Sequence, residues 1–210
     1  MTPLLKAGII LLDPDTSRVL RVISLQYNPE SLSRTLQIQG ASDGGDRSEA
    51  LRLKGPAVET LKLDAEIDAT DLMDAGDATV AELGIHPQLA ALETIAYPSS
   101  SQLMSNDSLA DMGSLEIFPM EAPLTLFVFG KNRVLPVRIT DLSVTEEAFD
   151  PNLNPIRAKV SLGLRVLSVD DVGFTHKAGT LFMSYLQQKE GFAARNVGGN
   201  LATVGLVKIP

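Results

Sequence analysis

The chain has 210 residues, of which 44% are hydrophobic, and its 26 acidic side chains against 18 basic ones give a formal net charge of -8. Because such a chain repels phosphate groups on average, binding to nucleic acid by bulk electrostatic attraction is excluded. The chain contains no cysteine, which excludes disulfides, thiolate metal sites and cysteine nucleophiles. Its longest uncharged apolar stretches fall well short of the roughly 20 residues that span a bilayer, so we expect no membrane insertion.

The first third of the chain predicts β-structure. Residues 5–12 and 18–25 are apolar runs joined by Asp-Pro-Asp-Thr-Ser, a composition typical of turns, and they predict a β-hairpin. Residues 31–39 alternate apolar and polar side chains and predict a third strand, whereas the polar, Gly-rich residues 40–49 predict a flexible loop. Residues 58–68 alternate most clearly and predict a strand with one buried face and one wet face.

A helical segment follows these strands. Residues 69–98 carry apolar side chains at helical spacing, with Pro87 suited to a first helical turn and Pro98 suited to a stop. The Ser-rich residues that come next show no clear pattern. We therefore expect a helical insert at about 69–98 and a mobile loop at about 99–115.

The second half of the chain returns to β-structure and ends with a helix. Three alternating or apolar runs predict strands at residues 124–129, 133–146 and 156–169. Apolar side chains at helical spacing predict an amphipathic helix over residues 175–188, stopped by Gly191. The Gly-rich tail, residues 196–210, is interpreted either as a strand added to a partner or as a disordered end.

These elements predict a mainly β protein of the α+β class. The expected architecture is an antiparallel β-sandwich or barrel with an inserted helical segment and one late amphipathic helix, because no strand–helix–strand alternation is present. Residues 1–175 are expected to form the β domain, and residues 176–210 the amphipathic helix with its tail.

One segment resembles a catalytic motif. A buried strand that ends in Asp-x-Asp, here Asp13 and Asp15, is how haloacid-dehalogenase-type phosphatases present a nucleophile and an acid. Asp170 and Asp171 imitate the later metal-binding carboxylates of those enzymes. That mechanism needs a parallel sheet, which the strand pattern does not predict, so the other interpretation is two solvated turns.

No other set of residues predicts catalysis. His86 and His176 stand far apart in the sequence and are interpreted as surface or capping residues. No catalytic, cofactor-binding or metal-ligating set is predicted, and we expect the chain not to be an enzyme. A ligand-binding β-sandwich is a further alternative, although the lack of tryptophan disfavours the stacking of sugars.

The connection between the two longest predicted strands, residues 145–160, is punctuated by Asn and Pro. In one interpretation it is a structured hairpin loop, with Phe149 and Leu153 tucked into the end of the sandwich and Asp150 and Asn152 fixing the turn. In the other it is a docking loop, because loops on a rigid β scaffold are where partners are met.

Several segments taken together resemble one protein family. They are Gln26-Tyr27-Asn28-Pro29-Glu30, Lys54-Gly55-Pro56 with Glu59, Asp68-Ala69-Thr70-Asp71, Gly84 to Glu93, and Leu135-Pro136-Val137-Arg138 followed by residues 145–160. The chain is similar in these segments to the tube proteins of contractile injection systems, which are phage-tail-like particles. The likeness is specifically to the baseplate member that joins the spike to the inner tube. It runs from about residue 5 to residue 170, and residues 149–160 are its most specific part.

This resemblance implies a tail-tube fold, in which packed sheets from each of six subunits close into a ring around a channel. It implies a structural component that connects the spike or hub to the inner tube and initiates tube assembly, without enzymatic activity, cofactor or metal. The implied partners are further copies of the chain, the spike or hub protein, the inner tube protein or a second tube initiator, and baseplate or sheath proteins. The implied location is an assembled particle made from protein synthesised in the cytoplasm.

One departure from the family pattern concerns the C-terminal region. Many relatives carry a LysM-like module after the tube domain, whereas this chain has only its Gly-rich tail there. Contacts made by that module are therefore not transferred to this chain, and the tail is a candidate to reach a neighbouring ring.

Two groups of residues are predicted to mediate assembly. Opposite charges on two wet strand faces are assigned to subunit seams or to the channel, namely Lys62, Asp64 and Glu66 on one strand and Arg157, Lys159 and Arg165 on the other. The candidates for docking to a partner are Asn28, Pro29, Glu30, Phe149, Asp150, Asn152, Leu153 and Asn154.

Overall fold

The computed structural model describes residues 4–40, 52–111, 122–196, 198–199 and 201–209. Within these ranges the strands are β1 Gly8–Leu12, β2 Val19–Ser24, β3 Leu32–Gln37, β4 Val58–Asp68, β5 Leu124–Val128, β6 Val134–Phe149 and β7 Pro155–Val166. The α-helices of the same ranges are α1 Thr70–Asp74, α2 Ala78–Leu83, α3 His86–Glu93, α4 Ser100–Asp111, α5 Val169–Val172 and α6 Lys177–Ala194. The predicted flexible loop at residues 40–49 lies outside the described part, apart from residue 40.

All seven strands belong to one antiparallel sheet with the order β2-β1-β5-β6-β7-β4-β3. The predicted hairpin is the β1–β2 pair, and the predicted strands of both halves are all present. The mainly β, α+β fold class is therefore confirmed.

The core lies on one face of this sheet. The period-2 pattern of β4 places Leu61, Leu63, Ala65 and Ile67 inward, and β7 contributes Ala158, Val160, Leu162 and Leu164 opposite them. Helix α6 covers this face with Phe182 and Tyr185, as its predicted amphipathic pattern requires. Burial of the inward rows leaves the alternate residues of β4 and β7 on the solvent side.

The sheet curls until β2 approaches β4. Gln26, just after β2, closes this approach with its side-chain amide: the backbone N–H of Asp68 donates to its Oε1 at 2.9 Å, and its Nε2 donates to the Asp68 carbonyl at 2.6 Å. Helix α3 lies beside the remaining opening, where Arg21 of β2 donates to Thr94 at 2.9 Å. A groove of about 450 Å³ remains between β2, β4 and α3.

The predicted helical insert contains α1, α2 and α3, with Pro87 in the first turn of α3. The prediction of a loop at about 99–115 was wrong for residues 100–111, which form α4. Ser99 and Gln102 make a capping box, in which the Ser99 hydroxyl accepts the Gln102 N–H at 3.2 Å and the Gln102 side chain accepts the Ser99 N–H at 3.1 Å. This local signal starts a helix although none of its side chains is buried.

The late helix is longer than its sequence pattern predicts. Gly191 does not end α6, which continues to Ala194 and is capped by Arg195. An interior glycine costs a helix only about 1 kcal/mol, and the packing of Phe182 and Tyr185 on the sheet offsets that cost. Beyond it, residues Leu201–Val204 form a short 3-10 turn, and the described tail contains no strand.

Candidate functional site

The two charged rows predicted to mediate assembly lie side by side on one face. Strands β4 and β7 are direct neighbours, and their register pairs Glu66 with Lys159 and Asp64 with Ser161. Both strands are central in the sheet, because β3 covers the outer edge of β4 and β6 covers that of β7. Lys62 joins the same face opposite Gly163. The result is one continuous solvent-exposed surface of mixed charge, the mixed-charge face.

Three basic side chains of this surface have partners within the chain. The shortest contacts are Arg157 Nη2 to Asp68 Oδ2, Lys159 Nζ to Glu147 Oε1 and Arg165 Nη2 to Asp171 Oδ1, each 2.7 Å. These contacts raise the pKa of Arg157 and of Lys159 above their ordinary values through hydrogen bonding and charge attraction to Asp68 and Glu147. Three of the cations that the sequence analysis assigned to a seam or a channel, Arg157, Lys159 and Arg165, are thus already paired.

Two strand edges beside this surface carry no strand partner among the described residues. Strand β5 covers β6 only along Val134–Val137. The second half of β6 is therefore bonded on one side alone, to β7. At the other edge of the four-stranded ribbon β3-β4-β7-β6, β3 is bonded only to β4. Leu36 of β3 is 47% exposed although it lies on the apolar side of the sheet. Unpaired backbone and exposed apolar side chains make both edges competent to add a strand.

The β6–β7 turn is held by one carboxylate. Asp150 Oδ1 accepts the N–H groups of Asn152 at 2.7 Å and Asn154 at 2.8 Å, and its Oδ2 accepts the side-chain amide of Asn154 at 2.9 Å. These hydrogen bonds, led by the one from the Asn154 side chain, hold the pKa of Asp150 below its ordinary value of 3.8. Asp150 fixes the turn, as one interpretation of this segment predicts.

The same turn exposes the two apolar residues that this interpretation placed inside the sandwich. Leu153 is 78% exposed and Phe149 is 48% exposed, so the tucked arrangement is wrong. Leu153 also has φ of 67°, in the left-handed region that costs an L-residue roughly 1–2 kcal/mol. Neither burial nor local geometry therefore explains a leucine at this position, which favours a docking role.

The helical insert supports the turn from behind. Asn154 donates its side-chain amide to the Glu82 carbonyl at 3.0 Å, and the Ile85 N–H donates to the Pro155 carbonyl at 2.8 Å. Gly84, at φ of 57°, lies so close to this turn that a Cβ atom there would meet the Pro155 carbonyl oxygen. The resemblance included Gly84 in a motif, but only the structure shows what it contacts.

Asn28, the first of the predicted docking residues, makes hydrogen bonds within the chain. The Asn28 side chain accepts the Ala7 N–H at 2.8 Å and donates to the Leu5 carbonyl at 2.9 Å, so it ties the N-terminal segment to the β2–β3 connection. Pro29 and Glu30 follow in that connection, and among the described residues no hydrogen bond or ion pair joins them to the β6–β7 turn.

Sequence reasoning missed a buried charged cluster. Glu59 of β4 is only 3% exposed and accepts hydrogen bonds from Lys189 Nζ at 2.7 Å and from the Tyr185 hydroxyl at 3.0 Å. Arg34 of β3 lies 3.7 Å from the same carboxylate and donates to the Tyr185 hydroxyl at 3.3 Å. The cluster fastens α6 to β3 and β4, and its members are too distant in sequence for any local pattern to join them.

The phosphatase-like carboxylates have separate local roles. Asp13 accepts the N–H and hydroxyl of Thr16, both at 2.7 Å, and these bonds lower its pKa from 3.8. Asp171 completes the capping box of α5 with Ser168, and His176 caps α6 by accepting the Ala178 N–H at 3.1 Å. Among residues that the structure describes, no three His, Asp or Glu side chains are grouped so that they could hold a metal ion.

A cleft of about 780 Å³ lies between the end of α3, strands β5 and β6, and the segment 167–176 that follows β7. Its walls combine apolar residues such as Ile95 and Leu142 with the polar side chains of Arg138, Asp141 and His176. Because the His176 Nδ1 already accepts the Ala178 N–H, that atom is not available to a ligand.

Among the described helices, none is long and apolar enough to cross a membrane.

No family model matches the chain, and no curated protein matches it. Among solved structures, it is similar to a chain in the tail of an empty gene transfer agent particle with C6 symmetry, at 10% identity and a TM-score of 0.29, covering 77% of this chain and 90% of that chain. A chain in the virion of a native gene transfer agent particle is similar at 11% identity and a TM-score of 0.27, covering 76% and 90%. TM-scores this low carry no argument about the present chain.

Proposed function

We propose that the chain is a structural component of a phage-tail-like contractile particle, in which copies form a ring that connects the spike or hub to the inner tube and initiates tube assembly. Two independent lines support the proposal. One is the resemblance of its sequence segments to baseplate tube proteins. The other is the arrangement of the free strand edges. The role is structural, without catalysis or cofactor.

The observation that carries the proposal is the direction of the two free edges. The ribbon β3-β4-β7-β6 has four strands, each antiparallel to the next, so β3 and β6 run in opposite directions. When identical copies stand side by side in the same orientation, the free half of β6 meets β3 of the next copy in an antiparallel sense. Such a heterologous contact repeats until it closes a ring, and closure leaves no open edge.

In this ring the mixed-charge face lines the channel. The rows of Lys62, Asp64 and Glu66 and of Arg157, Lys159 and Arg165 lie on the two central strands, away from the edges that would meet. Of the two roles that the sequence analysis left open, the channel therefore fits an edge-to-edge ring better than the seam. The internal pairing of Arg157, Lys159 and Arg165 supports the same choice, because paired side chains need no partner from a neighbouring subunit.

The β6–β7 turn is the contact to the adjoining layer of the particle. It projects from the end of the ribbon, is held rigid by Asp150 and Asn154, and exposes Phe149 and Leu153. A rigid apolar turn is suited to docking, because few side-chain motions are lost on binding. The spike or hub, the inner tube protein, a second tube initiator, and baseplate or sheath proteins are the candidate layers.

Negative-stain electron microscopy and sedimentation of the purified chain test the ring. Leu36→Lys places a charge at the β3 edge and is expected to abolish rings while leaving a folded monomer. Leu20→Lys is the matched control, because Leu20 is also an exposed leucine, at 55%, on a strand outside the ribbon. A full-length chain that stays monomeric at all concentrations, or rings that persist unchanged in Leu36→Lys, would contradict the proposal.

A further inference from the structure

Strand β2 is the last strand of the sheet, and among the described residues its outer edge has no strand partner. The N–H of Leu25 donates to the Ala7 carbonyl, so the backbone groups of Leu25 and Ile23 face β1. The alternation of an antiparallel ladder turns the N–H and C=O groups of Val22 and Ser24 the other way. Val22 is also 62% exposed. This edge is therefore able to pair with one more strand.

The groove of about 450 Å³ lies along this edge, between β2 and helix α3. Its walls are mainly apolar and include Ile23, Ile67, Ala91 and Leu92. Ile67 and Leu92 belong to the hydrophobic core, so the groove gives an added strand access to apolar contacts that a flat edge lacks. Strand addition takes its affinity from backbone hydrogen bonds and its specificity from pockets for alternate side chains.

The helical wall of the groove holds a polar atom that has no partner. Gln88 of α3 lines the groove, and its Oε1 is buried and accepts no hydrogen bond within the described residues. Most buried polar atoms in folded proteins are hydrogen-bonded, because leaving one unpaired costs free energy. A peptide N–H that enters the groove would supply the missing donor. The groove therefore suits a peptide backbone better than a purely apolar molecule.

The charge available at the groove is negative. Glu66 lines it, and its carboxylate lies 3.9 Å from Arg157 Nε, too far for a hydrogen bond. Arg157 is bound more closely by Asp68, at 2.7 Å. Arg21 also lines the groove, but its guanidinium group already donates to Thr94. An occupant with a cation beside its apolar side chains is therefore favoured.

Residues 206–209 of the chain match this chemistry. They read Leu-Val-Lys-Ile, a short β-prone run with a single cation, and the structure gives them no strand. Val207 is 98% exposed and Ile209 is 74% exposed. In an extended conformation these two side chains share one face, and Leu206 and Lys208 share the other. The run would then have a β-branched apolar face and a face that carries the cation.

The tail leaves the domain far from the groove of its own chain. Lys189 holds α6 at Glu59, near the start of β4, whereas Glu66 at the groove lies about 23 Å further along that strand. None of residues 201–209 lines the groove in the described structure. These observations favour the tail of another copy as the occupant.

We propose that residues 206–209 of a second copy add to the free edge of β2 as a strand and fill the groove. Val207 and Ile209 enter it and contact the apolar walls. Lys208 lies on the outer face, where the alternation of β4 also places Glu66. The contact uses neither β3 nor the free half of β6, so it does not depend on the proposed ring.

Cross-linking tests the contact in the full-length chain, which contains no cysteine of its own. Val207→Cys and Ala91→Cys are prepared separately, mixed and treated with a short bismaleimide. The mixture should yield at least about tenfold more covalent dimer than a mixture of Val207→Cys with Ala110→Cys, because docking raises the effective concentration of the two thiols. Ala110 is the matched control, since it is an exposed alanine on α4.

Two further changes in the Ala91→Cys chain test the strand and the amide. Val22→Pro removes a backbone donor from the free edge and should reduce the cross-link roughly tenfold, whereas Val22→Thr keeps the donor and should not. Gln88→Leu should also reduce the cross-link. It should not lower the urea midpoint, because the buried Oε1 has no hydrogen bond to lose within the described structure.

A charge exchange tests the orientation of the added strand. Lys208→Glu in the Val207→Cys chain should reduce the cross-link roughly threefold, and Glu66→Lys in the Ala91→Cys chain should restore it.

Equal cross-linking of the control mixture would overturn the inference, as would a cross-link that survives both Val22→Pro and Gln88→Leu. A link that forms within single chains, when one chain carries both cysteines, would overturn the second copy as the occupant. Rings that form normally without the cross-link would overturn the inference and leave the proposed function standing. Cross-links in a chain that forms no rings would do the reverse.

Discussion

Lys189 places its Nζ atom 2.7 Å from Oε2 of Glu59, and this contact fastens the last helix to the first residues of β4. The Glu59 carboxylate is almost fully buried, whereas Lys189 stays partly in solvent and stacks over the Tyr185 ring at 4.1 Å. The buried Glu59 carboxylate therefore needs its hydrogen-bond donors, whereas the Lys189 ammonium group is also solvated by water.

Removing the lysine should destabilise the fold. Lys189→Met is expected to lower the free energy of unfolding by about 2 kcal/mol, because a buried carboxylate loses a charged hydrogen-bond donor. Glu59→Gln in the same background should recover much of the loss, since it removes the charge and still accepts from Tyr185. Urea unfolding measures both, with the exposed Lys177→Met as the matched control. A loss no larger than that of the control would contradict the role assigned to the cluster.

Closure of the curled sheet should depend on the amide of Gln26. Gln26→Ala removes both hydrogen bonds to the Asp68 backbone and is expected to cost about 1–2 kcal/mol of unfolding free energy. The same change at the exposed Gln187 should cost less than about 0.5 kcal/mol. Equal costs at the two positions, measured by thermal or urea unfolding, would show that the approach of β2 to β4 does not depend on this contact.

The turn at Asp150 predicts a pH dependence. Because the folded protein holds the pKa of Asp150 below 3.8, its contribution to stability is complete above the unfolded pKa and is lost as the pH falls through the folded value. An NMR titration should show a carboxyl midpoint below 3.8, and Asn154→Ala should raise that midpoint towards it, because the Asn154 side chain is the largest cause of the shift. A midpoint that does not move in the variant would contradict this assignment.

Replacing Leu153 should stabilise the fold and weaken assembly. Leu153→Asn is expected to raise the free energy of unfolding by about 0.5–1 kcal/mol, because asparagine tolerates the left-handed backbone better than leucine. The same variant should weaken binding of the chain to the adjoining layer of the particle, measured by co-sedimentation with the spike or inner tube protein, since it removes the exposed apolar side chain. Leu103→Asn on α4 should leave that binding unchanged. A variant of Leu153 that is more stable and binds normally would show that the turn is not a contact.

Lys159→Gln distinguishes a channel role from a seam role. Strand β7 is bonded to β4 and β6 on its two sides, so the variant is expected to form rings of unchanged diameter in electron micrographs. Disassembly of the ring would place this side chain at a contact between subunits, as the other sequence-based hypothesis holds.

Periodicity predicted the strands well because each inward row is a local pattern. Leu61, Leu63, Ala65 and Ile67 recur at every second position, and burial of one face requires no more information than that. Helix α4 was missed because none of its side chains is buried, so no apolar stripe marks it. Its capping box, Ser99 with Gln102, was the available signal.

The assembly surfaces were harder to predict because they depend on pairs that are far apart in the chain. Alternation predicted that Glu66 and Lys159 are wet, but only the register of β4 and β7 shows that they face each other. The sequence likewise left open whether Leu153 is tucked or exposed, because a positive φ cannot be read from a leucine. Contacts such as that of Tyr185 with Glu59 join residues that no short motif spans.

Strand β6 has a mechanical consequence for any object built from this chain. Its first residues are hydrogen-bonded to β5 in the curled part of the sheet. Its remaining length forms the free edge of the ribbon, and both parts belong to one continuous strand. If the free edge of β6 tilts, the curled part of the sheet must tilt with it, because the two are joined by the backbone of the same strand. In the proposed ring, widening of the channel would therefore rotate every protomer as one unit.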